Sequence, residues 1–323
     1  MADDNLRDIL KQIAELVNNA VSDDNGEEDP AEVPNGKAAK HGICTPKSLP
    51  KSLLERSAKT ATDENPVNAP AIAQFNLASD VDITPEMIAV LTSKYWGPAR
   101  RRLSVSFMET TAADLRRRIV GHMNAWNRTV GISFVETAGT GLVRISRGAG
   151  GFFSYLGTDV LHIPTSRQTM NLQGFTMNTS ESEYKRVIRH ETGHTLGAPH
   201  EHMRRTLVAR IDPEKAYRFF GAPPNNWSRQ TVDQQVLTPL DERSLMATPP
   251  DETSIMCYQL PGSITRDGRP ILGGTDINAT DYAFMGRIYP KVGAAPRNRL
   301  LSAASDDSEA AADYLEEPAE LAD

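Results

Sequence analysis

The chain has 323 residues, 39% hydrophobic and 24% charged, with a formal net charge of −7. That composition fits a globular protein of one large domain or two, and no run of eighteen apolar residues offers a membrane span. Charge is segregated into acidic ends (−7 over residues 1–29, −8 over 306–323) and a +8 body without dense Lys/Arg runs, which excludes nucleic acid as the expected partner.

The opening twenty residues lack a basic stretch followed by an apolar block, so they are not a secretory signal. The expectation is a cytoplasmic chain or one exported by a leaderless route. Leu6, Ile9, Leu10, Ile13, Leu16 and Val17 keep helical spacing and predict an amphipathic helix over 4–20. It would dock on its own chain or, with two heptads, on a second copy. Residues 22–40 read as a disordered linker. A short helix is expected around Lys51–Thr60, then a Pro-rich connector. The two cysteines, Cys44 and Cys257, make no disulfide framework.

The compact part is expected to begin near Asp80. Thr84 and Pro85 start a helix to about Lys94. Leu103, Val105 and Phe107 alternate as in a strand, and Leu115, Ile119, Met123 and Trp126 form the apolar stripe of a long helix. Strands follow at Ile132–Val135, Leu142–Ser146 and Thr169–Leu172. "GAGGFFSYLG" reads as a glycine-entered edge strand containing Phe152, Phe153, Ser154 and Tyr155. Ser180 and Glu183 make a capping box for a helix that stops by Gly197. Further helices are expected at Asp212–Phe220 and over 276–288, and the chain beyond Pro290 reads as disordered. The order predicts an α/β (α+β) fold, a sheet layered against helices.

Four of the seven histidines fall within "RHETGHTLGAPHEH". Thr192, Gly193 and Thr195 are poor helix formers, and sacrificed propensity points to a functional constraint. His190 and His194 are four apart, so both imidazoles leave one helix face, a geometry that suits two ligands of one Zn²⁺. Glu191 can reach a water on that metal as general base. His200, six residues beyond His194, must arrive by a turn at Gly197, with Pro199 preventing helix resumption. Five fixed positions match by chance about once in three million starts. His202 reads as a solvated or substrate-side histidine.

These residues resemble the metzincin signature H-E-x-x-H-x-x-G-x-x-H, with Met256 of "SIMCYQ" as the Met-turn methionine. Within that clan the chain is most similar to the astacins: Glu201 follows the third histidine, Arg204 completes E-x-x-R, and Ser254, Met256 and Tyr258 fit S-x-M-x-Y. The resemblance covers about residues 80–292. It implies a metzincin-like catalytic domain over 79–292, with a twisted mixed sheet, a backing helix, an active-site helix and an irregular lower subdomain from 201. Residues 1–78 are then a candidate pro-segment and 293–323 an acidic tail, either of which could contact the catalytic domain. The chain departs from astacins in lacking their disulfides, and "RTLVAR" intervenes after Arg204.

The resemblance implies a zinc-dependent metalloendopeptidase acting on proteins or peptides. His190, His194 and His200 would hold one Zn²⁺ per chain, Glu191 would be the base, and Tyr258 would stabilise the transition state. An extended peptide would pair with the strand at 151–156. Cys44 is a candidate latency residue whose thiolate would fill the open metal position; the alternative is an inert buried thiol. A silent zinc-stabilised binding module and a small-molecule zinc amidase or esterase are the competing functions.

Overall fold

In the computed structural model, which describes residues 44, 47–70, 92–223, 225–239 and 250–291, alternation of apolar and polar residues makes β1, Arg101–Phe107. Leu103 and Val105 point into the core. Helix α2, Ala113–Met123, buries Leu115, Ile119 and Met123, and a 3₁₀ turn then inserts Trp126. Strands β2 (Ile132–Glu136), β3 (Val143–Ser146), β4 (Phe152–Ser154) and β5 (Met170–Leu172) complete a five-stranded sheet in the order β2-β1-β3-β5-β4. All pairs are parallel except β4 with β5, which places β4 antiparallel at one edge. This is the mixed α/β layering that the sequence predicts.

Helix α3, residues 181–195, joins an α-helical Glu181–Glu183, a π-helical Tyr184–Ile188 and an α-helical Arg189–Thr195. Only one arm of the predicted capping box forms. Ser180 Oγ accepts from the Glu183 amide at 3.2 Å, but the Glu183 carboxylate turns to the Arg186 guanidinium instead. A charged partner outcompetes a neutral amide for a carboxylate. Helices α4 (Pro213–Gly221), α5 (Arg229–Val232, continued by a π-helical Asp233–Leu237) and α6 (Ala279–Ile288) follow. Two apolar clusters result among the described residues. One joins the sheet, α2, α3 and α6; the other gathers Leu207, Ile211, Phe220, Val232, Val236, Leu260 and Ile271. The described residues all belong to one unit that ends at Lys291.

The helix expected near residues 51–60 is α1, Lys51–Glu64. It docks on the body through small and polar groups. Its buried residues are Ser57, Ala58 and Ala61. Ser57 Oγ donates to Asp159 and accepts from Lys94 Nζ at 3.0 Å, and Lys94 lies 3.7 Å from Asp159. Past the helix end, Asn68 Nδ2 donates to the Ala61 and Tyr95 carbonyls (2.8 and 2.7 Å), and Asn68 Oδ1 accepts from the Tyr95 amide at 3.0 Å. Asn65 Nδ2 donates to Trp96 O at 3.0 Å. The predicted helices at 4–20 and 84–91, the linker at 22–40 and the acidic tail lie outside the described residues. Residues 92–94, the expected end of the second helix, are not helical; Lys94 instead runs into the backbone ladder that Asn68 binds.

Asn68 satisfies three buried backbone groups, and a buried group left unpaired costs about 1–3 kcal/mol. Asn68→Ala is therefore expected to destabilise the chain by about 2–4 kcal/mol. Denaturant melts and protease sensitivity of the α1 segment measure this.

Candidate active site and metal centre

Helix α3 is buried on all sides where it carries the motif: His190, Glu191, Thr192, Gly193, His194 and Thr195 are all buried. Burial explains the poor helix formers. Thr192 Oγ1 donates to Ile188 O at 2.6 Å, and Thr195 Oγ1 meets Ser154 Oγ of the edge strand at 2.9 Å. Gly193 faces the Met256 thioether and Trp126, and a Cβ there would press into the Met256 side chain. Trp126 Nε1 donates to Arg189 O and Trp96 Nε1 to Thr195 O, both at 2.9 Å. Tertiary contacts override local propensity here.

The chain leaves α3 through Gly197, whose φ of +96° places it in the left-handed region. A Cβ at that position would also crowd Tyr95 and Lys94. The turn brings His200 back onto His190 and His194. The Nε2 atoms of His190 and His200 are 3.2 Å apart, and those of His194 and His200 are 3.0 Å apart. The Nδ1 atoms of His190 and His194 lie 2.6 Å from Ile255 O and 2.8 Å from Ala198 O. Carbonyls only accept, so these Nδ1 atoms carry protons and both Nε2 atoms present lone pairs. One proton on His200 Nε2 could bridge to one neighbour only; a cation satisfies all three. Tetrahedral zinc–nitrogen bonds imply a nitrogen spacing of about 3.3 Å, so the set fits zinc. Burial lowers the pKa of His190 to about 4 and those of His194 and His200 well below the usual range, which keeps the imidazoles neutral as metal ligation requires.

Glu191 is 1% exposed, and burial pushes its carboxyl up to about 8 against weaker opposing effects of Cys44 and Arg186. Cys44 approaches from the N-terminal segment. Its Sγ and the ligand atoms of the three histidines all lie within 4.8 Å of one another. It donates to Glu191 Oε2 at 3.3 Å, and burial pushes the thiol well up. A cation among the imidazoles reverses that preference, because a coordinating thiol is deprotonated outright. Tyr258 donates its hydroxyl to the Cys44 backbone carbonyl. The same segment forms parallel bridges with the edge strand, Cys44 to Phe152 and Lys47 to Tyr155.

Among the expected edge-strand residues, Phe153 and Ser154 are buried, whereas Phe152 and Tyr155 are half-buried. Phe152 lines a cavity of about 500 Å³ beside His190 and Glu191, with Val187, Ile255, Leu260 and Leu272 among its apolar walls and Arg186 as a cation. Met256 is buried beneath α3, in a turn held by Asp281, which accepts from Ser254 Oγ at 2.6 Å and from the Ile255 amide at 2.9 Å. Glu201 donates its amide to Met256 O at 2.9 Å and accepts from the Asp251 amide at 3.1 Å; burial raises its carboxyl to about 7.

His202 departs from expectation. It is wholly buried, its ring stacked on that of Tyr258 at 4.1 Å and 14°, with Nε2 2.9 Å from Gln235 O. Sequence spacing places it just past a turn, where solvent is the default; the packing of α5 over that turn excludes water. No sequence signal marks Asp281, which acts on a turn far back along the chain, or the place of Arg186 on the cavity wall, which the fold alone sets.

Three converging imidazole nitrogens next to a buried carboxylate, beside a cavity lined by the edge strand's Phe152, are the marks of a metal-dependent hydrolase. The family model described as Astacin, a peptidase family, matches residues 90–268. A structure of myroilysin matches with a TM-score of 0.58 at 30% identity, covering 62% of this chain and 97% of that one. A second myroilysin structure gives 0.48 at 30% identity, covering 61% and 86%. High choriolytic enzyme 1, a hatching enzyme zinc-protease from Oryzias latipes (medaka fish), gives 0.41 at 22% identity, covering 59% and 92%. A search of curated proteins finds no significant match. The chain belongs to the astacin family of zinc metalloproteases. No helix among the described residues is long and apolar enough to cross a membrane.

Gly193→Ala gains up to about 1 kcal/mol of helix propensity but overpacks Met256, which costs about 1–3 kcal/mol. A net loss of stability is the expected outcome of thermal unfolding of this variant.

Proposed function

We propose that the chain is a zinc metalloendopeptidase held latent by its own N-terminal segment. The observation that carries the reading is the cluster of Cys44, His190, His194 and His200 with Glu191 beside it. His190, His194 and His200 would hold one zinc per chain. When bound, zinc supplies Lewis-acid activation of water and of the scissile carbonyl. Glu191 takes a proton from the attacking water and returns it to the leaving amine. Its raised affinity for a proton suits it to hold that proton between the two steps. The Tyr258 hydroxyl donates to the developing oxyanion, an interaction worth about 2.7–4 kcal/mol in comparable sites. A protein or peptide substrate lies extended against β4, and the cavity below Phe152 takes a side chain.

Cys44 blocks this machinery in three ways with one residue. Its sulfur would fill the open metal position, it stands 3.3 Å from Glu191 Oε2 where the attacking water must be held, and its carbonyl takes the Tyr258 hydroxyl. Cys44 and Lys47 also pair with the strand edge that a substrate needs. Residues 1–78 then act as a pro-segment. A metal that only supported the fold would need neither a buried carboxylate beside it nor a cleft, which favours hydrolysis over a silent binding module.

Glu191→Gln is expected to retain zinc by metal analysis and to lose cleavage of a denatured protein by about 10²–10⁴-fold; a chelator abolishes cleavage by the parent chain. A variant that binds zinc and cleaves at the parental rate removes Glu191 as the base. If the blocked state leaves about 0.1–10% of chains open, Cys44→Ala raises initial cleavage by the unprocessed chain about 10–1000-fold. Unaltered rates return Cys44 to an inert buried thiol.

A further inference from the structure

We infer that His202 is a positioning residue for Tyr258: its imidazole, anchored to the Gln235 carbonyl, is the flat wall that holds the tyrosine ring beside the metal centre. The inference rests on the reading of Tyr258 as the oxyanion donor.

The geometry is a near-parallel stack. The His202 and Tyr258 rings lie 4.1 Å apart and 14° from coplanar, whereas His200 meets the same tyrosine at 4.2 Å and 51°. The His190 ring is also near-parallel to it, at 19°, but stands 6.4 Å away; of the two rings in close contact, the parallel one sets the plane in which the tyrosine can turn and the tilted one limits its approach. His202 itself is fixed from behind. Its Nε2 lies 2.9 Å from Gln235 O, so that nitrogen carries the proton and donates. Gln235 sits in the π-helical Asp233–Leu237, flanked by the fully buried Val232 and Val236. The stack is therefore tied to the second apolar cluster, not to the cleft.

Plain packing does not account for an imidazole here. Among the described residues His202 Nδ1 has no partner, and an apolar side chain would fill the space without that penalty. What the imidazole adds is a rigid flat face with one anchoring donor. The need for it follows from the hydrogen bonding of Tyr258. Its hydroxyl is bound to the Cys44 carbonyl, an acceptor that leaves with the N-terminal segment. The rings of His200 and His202 then remain as the close contacts that constrain the tyrosine, with His190 farther off.

The test uses the full chain freed by Cys44→Ala. His202→Ala is expected to lower kcat about three- to tenfold, the worth of one aromatic pair, with KM and zinc content unchanged, and His202→Phe to restore most of the loss. In a Tyr258→Phe background His202→Ala has no further effect on kcat. With 3-fluorotyrosine at position 258, the ¹⁹F line shifts and broadens in His202→Ala and stays sharp in His202→Phe. Where Ala leaves the chain unfolded, His202→Leu keeps the volume without the flat face and carries the same expectations. An equal kcat loss in both backgrounds, or an unmoved ¹⁹F line, overturns the inference. If Tyr258→Phe leaves kcat unaltered, it is the role of Tyr258 that fails, and the ¹⁹F line still decides whether His202 holds the ring.

Discussion

Holding the His200 Nε2 within 3.2 Å of the Nε2 atoms of both His190 and His194 is unfavourable unless a cation sits among them, and the surrounding structure is organised to impose that crowding. Helix periodicity sets the first two side by side. A single left-handed residue, Gly197, returns the third. The carbonyls of Ile255 and Ala198 then fix which nitrogen of His190 and His194 faces inward. The turn around Met256 is thus more than an apolar floor. Its preceding carbonyl orients one imidazole, its own carbonyl accepts from the Glu201 amide, and Asp281 holds the turn from α6.

The same requirement explains the composition of α3. A helix that must carry its chemistry on one face and pack against a strand, two tryptophans and a methionine on the others cannot be built from strong helix formers. Gly193 admits the Met256 thioether, and Thr195 links the helix to the edge strand by its hydroxyl. The π-helical stretch before it places Arg186 on the cleft wall and sends Glu183 to Arg186 rather than to the helix start. Such irregular turns inside helices often accompany functional sites.

Much of this was legible in the sequence because periodicity is a local property. β1 through β5, α2 and α4 follow alternation or helical spacing within a few residues, and the edge position of β4 followed from its glycine entry. The three histidines and Glu191 were legible because two ligands lie on one helix face and the third is reached by a turn with its own glycine. What was not legible is long-range. His202 reads as solvated until α5 is seen to cover it. The second arm of the capping box is lost to Arg186 three residues on, a competition between charged and neutral donors that spacing alone does not settle. Cys44 is a candidate for the metal position from the sequence, but its contact with Glu191, 147 residues away, is visible only in the folded chain.

The polar dock of α1 has a further consequence. Its grip on the body comes from the amides of Asn65 and Asn68, the Ser57 hydroxyl and the Arg101–Glu64 ion pair, and the helix itself buries only Ser57, Ala58 and Ala61. Each such bond, when broken at a surface, is replaced by one to water at small net loss. The segment can therefore be registered to the body with atomic accuracy and still be parted from it without baring a sticky face, so that solvent, rather than a chaperone or a second chain, suffices to cover the ground it vacates.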